Sequence, residues 1–254
     1  MTESEQTIGA YYQCHKNAAS FIRTVKSFQK SYPGNTIIIT NDGGYNYEPF
    51  CKKNNIKYSY IEKSNTRQNA LIFNSYLSCI SFLEKMFQEF KNIDTTHIIL
   101  LEDDVRILRT HTLPFLFSIN GCNENELLDP IAIEILEKKG VIGPFFYGGC
   151  GGSVIDKAFF ESIDFEDIKQ LLYEIKDYPS LFASDKLISF IALYFGGTIG
   201  KYDEFAEMWY NDINSRIDGN NVAFLHQYKN DYENNGVFPN DDELIELDDY
   251  ITKP

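Results

Sequence analysis

The chain has 254 residues, 43% of them hydrophobic and 15% aromatic, and a formal net charge of −14. That is enough apolar material for one large core or two tightly joined halves, and too aromatic for disorder over most of its length. The acidic balance, with no basic stripe, argues against a nucleic-acid partner, and no apolar run reaches the roughly 20 residues that span a bilayer.

The N-terminal stretch MTESEQTIGA lacks the basic-then-apolar layout of a signal peptide. The expectation is a soluble, cytoplasmic protein. Abundant Asn, Lys, Ile and Tyr suggest an AT-rich genome, bacterial or viral; a viral protein would sit in the host cytoplasm. Cys14, Cys51, Cys79, Cys122 and Cys150 form no CxxC pair, and their odd number speaks against a disulfide framework or a structural zinc site.

TIGAYY is a short apolar strand. NAASFIRTVKSFQKSYPG follows as a helix, with Ala18, Phe21, Ile22, Val25 and Phe28 at helical spacing, Asn17 as its cap and Pro33-Gly34 closing it. NTIIIT is the second strand, running into NDGG, and IKYSYI is the third. RQNALIFNSYLSCISFLEKMFQEF reads as one long helix with Phe73, Leu77, Ile80, Leu83, Phe87 and Phe90 on a single face. HIILL, from His97 to Leu101, is the next strand. This order implies a parallel sheet covered by helices, with ligands bound beyond the carboxyl ends of its strands. The loops YYQCHKN, TNDGGYN and LEDDV lie at those ends, so Asp42 and the acidic triplet Glu102-Asp103-Asp104 are expected on one edge.

The second half is less regular. DPIAIEILEKKG is a helix with Asp129 as N-cap, Pro130 in its first turn and Gly140 past its end. YGGCGGSVI packs four glycines into positions 148–152 and lacks the Gly-Lys-Ser/Thr of a phosphate loop. SDKLISFIALYFGG reads as a buried helix capped by Ser184 and stopped by Gly196, with Asp185 in its first turn. NVAFLHQY is a late strand carrying His226. Residues 236–254 are an acidic C-terminal tail.

Three adjacent carboxylates at the mouth of a buried strand repel one another and need a cation. Oxygen ligands of this kind suit Mg²⁺ or Mn²⁺, whose open positions phosphate oxygens fill. A solvated acidic turn is the plainer alternative. No GxGxxG follows the first strand, which disfavours a dinucleotide-binding domain, and no Ser-His-Asp or Cys-His arrangement is visible.

The first strand with its polar loop, TNDGG, and HIILLEDDV together resemble the nucleotide-binding half of a GT-A fold glycosyltransferase. LEDDV is similar to the acidic DxD metal motif of that superfamily. The resemblance covers residues 6 to 230 or so. It implies a single domain with a Rossmann-like, mixed but mostly parallel sheet flanked by helices. Residues 1–110 would form the nucleotide-sugar-binding half and 111–235 the acceptor-binding and catalytic half.

The resemblance further implies that Asp104 binds the metal, with His226 completing the site. Glu102 and Asp103 would contact ribose, donor sugar or metal-bound water, and Asp42 would lie near base or ribose. Arg67 would sit beside donor or diphosphate, and Tyr11 or Tyr12 would stack on the base. Gly149 and Gly151 would line the sugar pocket, a tight strand crossover being the alternative. Asp185 matches the base of inverting members, although Ser184-Asp185 departs from the commoner Glu-Asp pair. Lys229 could meet the diphosphate, though a lysine near a surface loop is usually just solvated; Trp209 could line the acceptor site, with a core or surface role equally open. The implied activity is transfer of a sugar from a nucleoside-diphosphate sugar, UDP favoured, to a hydroxyl on a glycan or glycoconjugate. A sugar nucleotidyltransferase and a non-catalytic nucleotide-sugar or glycan-binding protein stay as alternatives.

Overall fold

A computed structural model describes residues 6–14, 18–41, 46–60, 75–207 and 222–226. Asn17, Asp42, Arg67, Phe73, Trp209, Lys229 and the tail from 236 lie outside the described residues. In chain order the elements begin with β1 (Ile8–Cys14), α1 (Ala18–Ser31), β2 (Ile37–Asn41), α2 (Glu48–Lys53), β3 (Lys57–Tyr60), α3 (Tyr76–Phe90), β4 (His97–Leu101) and the two-residue β5 (Arg106–Ile107). Then come β6 (Ile119–Asn120), β7 (Cys122–Leu127), α4 (Pro130–Lys138), β8 (Phe146–Gly148), β9 (Val154–Asp156), α5 (Lys157–Ser162) and α6 (Phe165–Glu174). A 3₁₀ turn (Pro179–Phe182) leads into α7 (Ser184–Tyr194), followed by β10 (Ile199–Gly200), β11 (Phe205–Glu207) and β12 (Phe224–His226).

Seven strands form the main sheet in the order β10-β6-β9-β4-β1-β2-β3. β4, β1, β2 and β3 run parallel, as do β6 and β10. β9 alone is reversed, antiparallel to both β4 and β6. Every residue of β2 and β4 is buried, as expected for parallel strands covered on both faces.

Strand alternation divides the core. Ile8, Ala10, Tyr12, Ile39, Leu101 and Phe224 pack with Phe21, Val25 and Phe28 of α1 on one face. Tyr11, Ile38, Ile98 and Leu100 pack on the other with α3, α4, α6 and α7. Each cluster draws residues from both halves of the chain, so the halves fold as one domain.

Several helices differ from expectation. α3 starts at Tyr76, where the Ser75 hydroxyl caps the Ser78 N–H at 3.2 Å. Its buried stripe is Cys79, Phe82, Leu83, Met86, Phe87 and Phe90, and Leu77 is 60% exposed. α2, α5 and α6 were not expected: α2 and α5 have only six residues each, too few to show a helical period, though Asp156 and Asp164 cap α5 and α6. The N-cap of α7 is Ala183, whose carbonyl accepts from the Leu187 N–H at 2.8 Å; Ser184 is already helical. α4 forms as expected, with Asp129 accepting from the Ile131 N–H at 2.9 Å and Gly140 beyond its end at a φ of 85°.

Candidate functional site

β4 ends at Leu101, and the next four residues form a tight turn closed by the Val105 N–H on the Glu102 carbonyl at 3.1 Å. Asp103 and Asp104 occupy its centre. α1 holds this turn from behind. The fully buried Thr24 hydroxyl lies 3.2 Å from the Glu102 carbonyl and 3.0 Å from that of Val105, its single proton shared between them, and accepts from Arg106 Nη1 at 3.1 Å. Arg106 Nη1 also donates to the Val105 carbonyl at 2.8 Å. A buried guanidinium therefore sits directly behind the carboxylates.

The three acids do different things. Asp103 accepts from the Tyr12 hydroxyl at 2.6 Å. Burial pushes its pKa up to about 6; the Tyr12 hydrogen bond opposes this, the neighbouring Asp104 adds to it, and Arg106 lowers it. Tyr12 is fixed in turn by stacking on Phe21 at 5.5 Å, which stacks on Tyr47 at 4.1 Å. Glu102 and Asp104, one residue either side of Asp103, face elsewhere.

What they face is His226. β12 pairs antiparallel with β5, Leu225 opposite Arg106, and parallel with β11, His226 opposite Glu207. The strand that leaves the acidic turn therefore recruits the strand that brings the histidine back to it. His226 Nε2 lies 3.5 Å from Asp104 Oδ1 and 4.0 Å from Glu102 Oε2. The three ligand atoms all fall within 4.8 Å of one another. The His226 and Asp104 side chains are 3% and 11% exposed, while that of Glu102 is 47% exposed. Two carboxylates and one imidazole, opening to solvent through Glu102, make a donor set that fits Mn²⁺ or Mg²⁺.

The glycine turn reaches this cluster because β9 is reversed. An antiparallel neighbour starts at the edge where β4 ends, so residues 149–152 lie beside the acidic turn. The Gly152 N–H donates to the Leu100 carbonyl at 2.7 Å, and the Leu100 N–H to the Ser153 carbonyl at 2.9 Å. A Cβ built on Gly151 would lie 3.0 Å from Glu102 Cβ and 3.0 Å from His226 Cδ2. The other end of the turn is tied to α7: the Gly148 N–H donates to the Ser189 hydroxyl at 3.0 Å, and that hydroxyl bonds back to the Gly148 carbonyl. Asp185, in the first turn of α7, accepts from the Tyr147 hydroxyl at 2.5 Å and from the Lys186 N–H at 2.9 Å.

The structure thus gathers Glu102, Asp104, His226 and Gly151, and ties Asp185 to the glycine turn through Tyr147. Gly149 lies on the α7 side, where an added Cβ would meet Ile188 at 3.1 Å. Tyr11 is in the core: 3% exposed and edge-on to Phe90 at 5.5 Å, because strand alternation turns it toward α3. Tyr12 is the residue of that pair whose polar end reaches the acids. Thr24 and Arg106 were not found from sequence. A threonine on an amphipathic helix and an arginine after an acidic turn both read as surface residues.

No model of a known protein family matches the chain, and no curated protein matches it in sequence. Solved structures do match in shape. The galactosyltransferase LgtC, in complex with donor and acceptor sugar analogues, superimposes with a TM-score of 0.53 at 12% identity, covering 98% of this chain and 98% of that one. An active-site glutamine-to-glutamate mutant of LgtC gives a TM-score of 0.54 at 12% identity, over 98% of this chain and 97% of that one. The likeness is one of fold: a GT-A α/β domain with a mostly parallel sheet.

Proposed function

We propose that the protein is a metal-dependent glycosyltransferase, moving a sugar from a nucleoside-diphosphate sugar to a hydroxyl on a glycan or glycoconjugate. The observation that carries this reading is the Glu102–Asp104–His226 cluster at the carboxyl edge of a GT-A sheet. The protein of like fold, LgtC, binds donor and acceptor sugar analogues, which supports the same pair of substrates here. A UDP-sugar is the favoured donor.

In this reading Asp104, His226 and Glu102 hold Mn²⁺ or Mg²⁺, which when bound offsets the charge of the departing diphosphate. Asp103 stays out of the ligand set, held by Tyr12. Asp185 is the base of a single in-line displacement. The acceptor oxygen attacks the anomeric carbon, the bond from that carbon to the diphosphate oxygen breaks, and the acceptor proton passes to the Asp185 carboxylate. Tyr147 and the Lys186 N–H fix that carboxylate, and the N-terminus of α7 favours its charge. The product has inverted configuration.

The test is nucleoside diphosphate release from a panel of nucleotide sugars with Mn²⁺. Release with a preferred donor, abolished by EDTA and by Asp104→Asn, is the expected result. Pyrophosphate-dependent exchange would instead indicate a nucleotidyltransferase. Binding without turnover for every donor and acceptor would indicate a non-catalytic protein.

A further inference from the structure

We infer that the spacing of the metal ligands is set by two residues that supply no ligand atom, Gly151 and Thr24, acting as positioning residues from opposite sides of the acidic turn. The inference rests on the metal-site reading of Glu102, Asp104 and His226.

Gly151 acts from the front. A Cβ there would lie 2.8 Å from Val105 Cγ2, 3.0 Å from Glu102 Cβ and 3.0 Å from His226 Cδ2. Two of these atoms belong to proposed ligands. The third belongs to the residue that closes the turn carrying the other two acids. Gly149 and Gly152 have φ of 77° and 83°, so a side chain there would strain the backbone whatever surrounds it. Gly151 has no such φ. Its lack of a side chain is required by the closeness of Val105, Glu102 and His226, not by its own backbone. Alanine at 151 forces Val105 to shift and presses on Glu102 and His226, which must give by a few tenths of an ångström.

Thr24 acts from behind. Its hydroxyl spans the carbonyls of Glu102 and Val105, the first and last residues of the turn, and receives Arg106 Nη1. Valine has nearly the same shape and fills the same space in the α1 core. It removes the shared hydroxyl proton and the acceptor of Arg106 Nη1, leaving the two carbonyl oxygens less well satisfied. The turn then keeps only its own Val105–Glu102 bond and the Arg106 bond to Val105, and holds its two outer acids less firmly relative to His226. Groups that orient a metal's ligands change affinity by roughly 10- to 100-fold when removed.

The experiment is a calorimetric Mn²⁺ titration of the full chain without donor, with metal-free melting curves as a check on folding. Gly151→Ala and Thr24→Val should each weaken Mn²⁺ binding by roughly 10- to 100-fold, and Thr24→Ser, which restores the hydroxyl, should bind nearly as the wild type does. Wild-type affinity in both Gly151→Ala and Thr24→Val overturns the inference. So does an equal loss in Thr24→Ser and Thr24→Val. Should Thr24→Val fail to fold, Gly151→Ala, whose backbone is unstrained, decides the matter together with Thr24→Ser. Asp104→Asn separates the two levels. Mn²⁺ binding that survives this change, or is absent from the wild type, overturns the metal-site reading and the inference with it.

Discussion

Glu204 offers a quantitative test of how the histidine strand is held. Its carboxylate is buried, with the residue 3% exposed. One oxygen accepts from Arg109 Nη2 at 2.7 Å and the Thr112 hydroxyl at 2.6 Å. The other accepts from the Tyr202 hydroxyl at 2.6 Å and the N–H groups of Thr112 and Leu113 at 2.8 and 3.1 Å. Burial pushes the pKa up, but these hydrogen bonds outweigh it and hold the group at about 2 against an ordinary 4.5. At about 1.36 kcal/mol per tenfold, the ionised form contributes about 3 kcal/mol at neutral pH. The sign follows from a folded-state pKa below the unfolded one. The contribution is complete above the unfolded value, is roughly halved at pH 3, and vanishes below the folded value. In Glu204→Gln, whichever oxygen becomes an NH₂ faces donors. Urea unfolding at pH 7 should show the variant less stable by about 3 kcal/mol, with the gap roughly halved at pH 3. A gap under about 1 kcal/mol at pH 7, or one that does not narrow with acid, would refute the reasoning.

Other outcomes follow from the site. Mn²⁺ at about 100 times its Kd should stabilise the wild type by about 2.7 kcal/mol in thermal unfolding; EDTA should reverse the effect, Asp104→Asn should lack it, and His226→Ala should reduce it. Asp185→Asn should lower kcat by about 100-fold or more while Mn²⁺ and nucleoside diphosphate binding stay unchanged; parallel loss of binding would remove Asp185 from the role of base. Asp103 has a folded pKa of about 6, above its ordinary 3.8, so the metal-free protein loses stability as pH rises through that window. Asp103→Asn keeps an acceptor for Tyr12 and should be more stable than the wild type at pH 7, by up to about 3 kcal/mol, and nearly equal to it at pH 4; equal stability at both would show that the buried charge carries no cost.

Much of the site was readable before the structure because it sits where apolar strands stop. HIILL must be buried, so the acids that follow must lie at a strand end, and parallel order assigns that end to the ligand edge. His226 is different: NVAFLH says only that it follows an apolar strand, and its place beside the acids was implied by the resemblance alone. What could not be read depends on direction and on short elements. Sequence alternation separates Tyr11 from Tyr12 but does not say which face meets α1. β5 has two residues, too few for any period, yet its ladder with β12 is what joins His226 to the acids. The split among Glu102, Asp103 and Asp104 is a property of the turn's geometry. Glu204, in KYDEFAE, looks like any surface acid, and its five donors come mostly from a loop some ninety residues earlier.

The two ladders on β12 are short, so hydrogen bonding alone does not aim His226. Packing does. Phe224 is fully buried, stacks on Tyr202 at 5.9 Å and on Phe115 at 6.4 Å, and shares a strand face with His226 two residues on. The Glu204 carbonyl accepts the Ala223 and Phe224 N–H groups at 2.8 and 3.0 Å, just before His226. β4 uses the same device: Ile99 and Leu101 anchor in the same core as Phe224, and the carboxylates follow. Two apolar strand ends packed into one core thus present polar side chains to each other. Rigidity of that core fixes the separation of Asp104 and His226. Gly151 and Thr24 matter for the same reason, since a preset spacing tolerates little extra volume or slack.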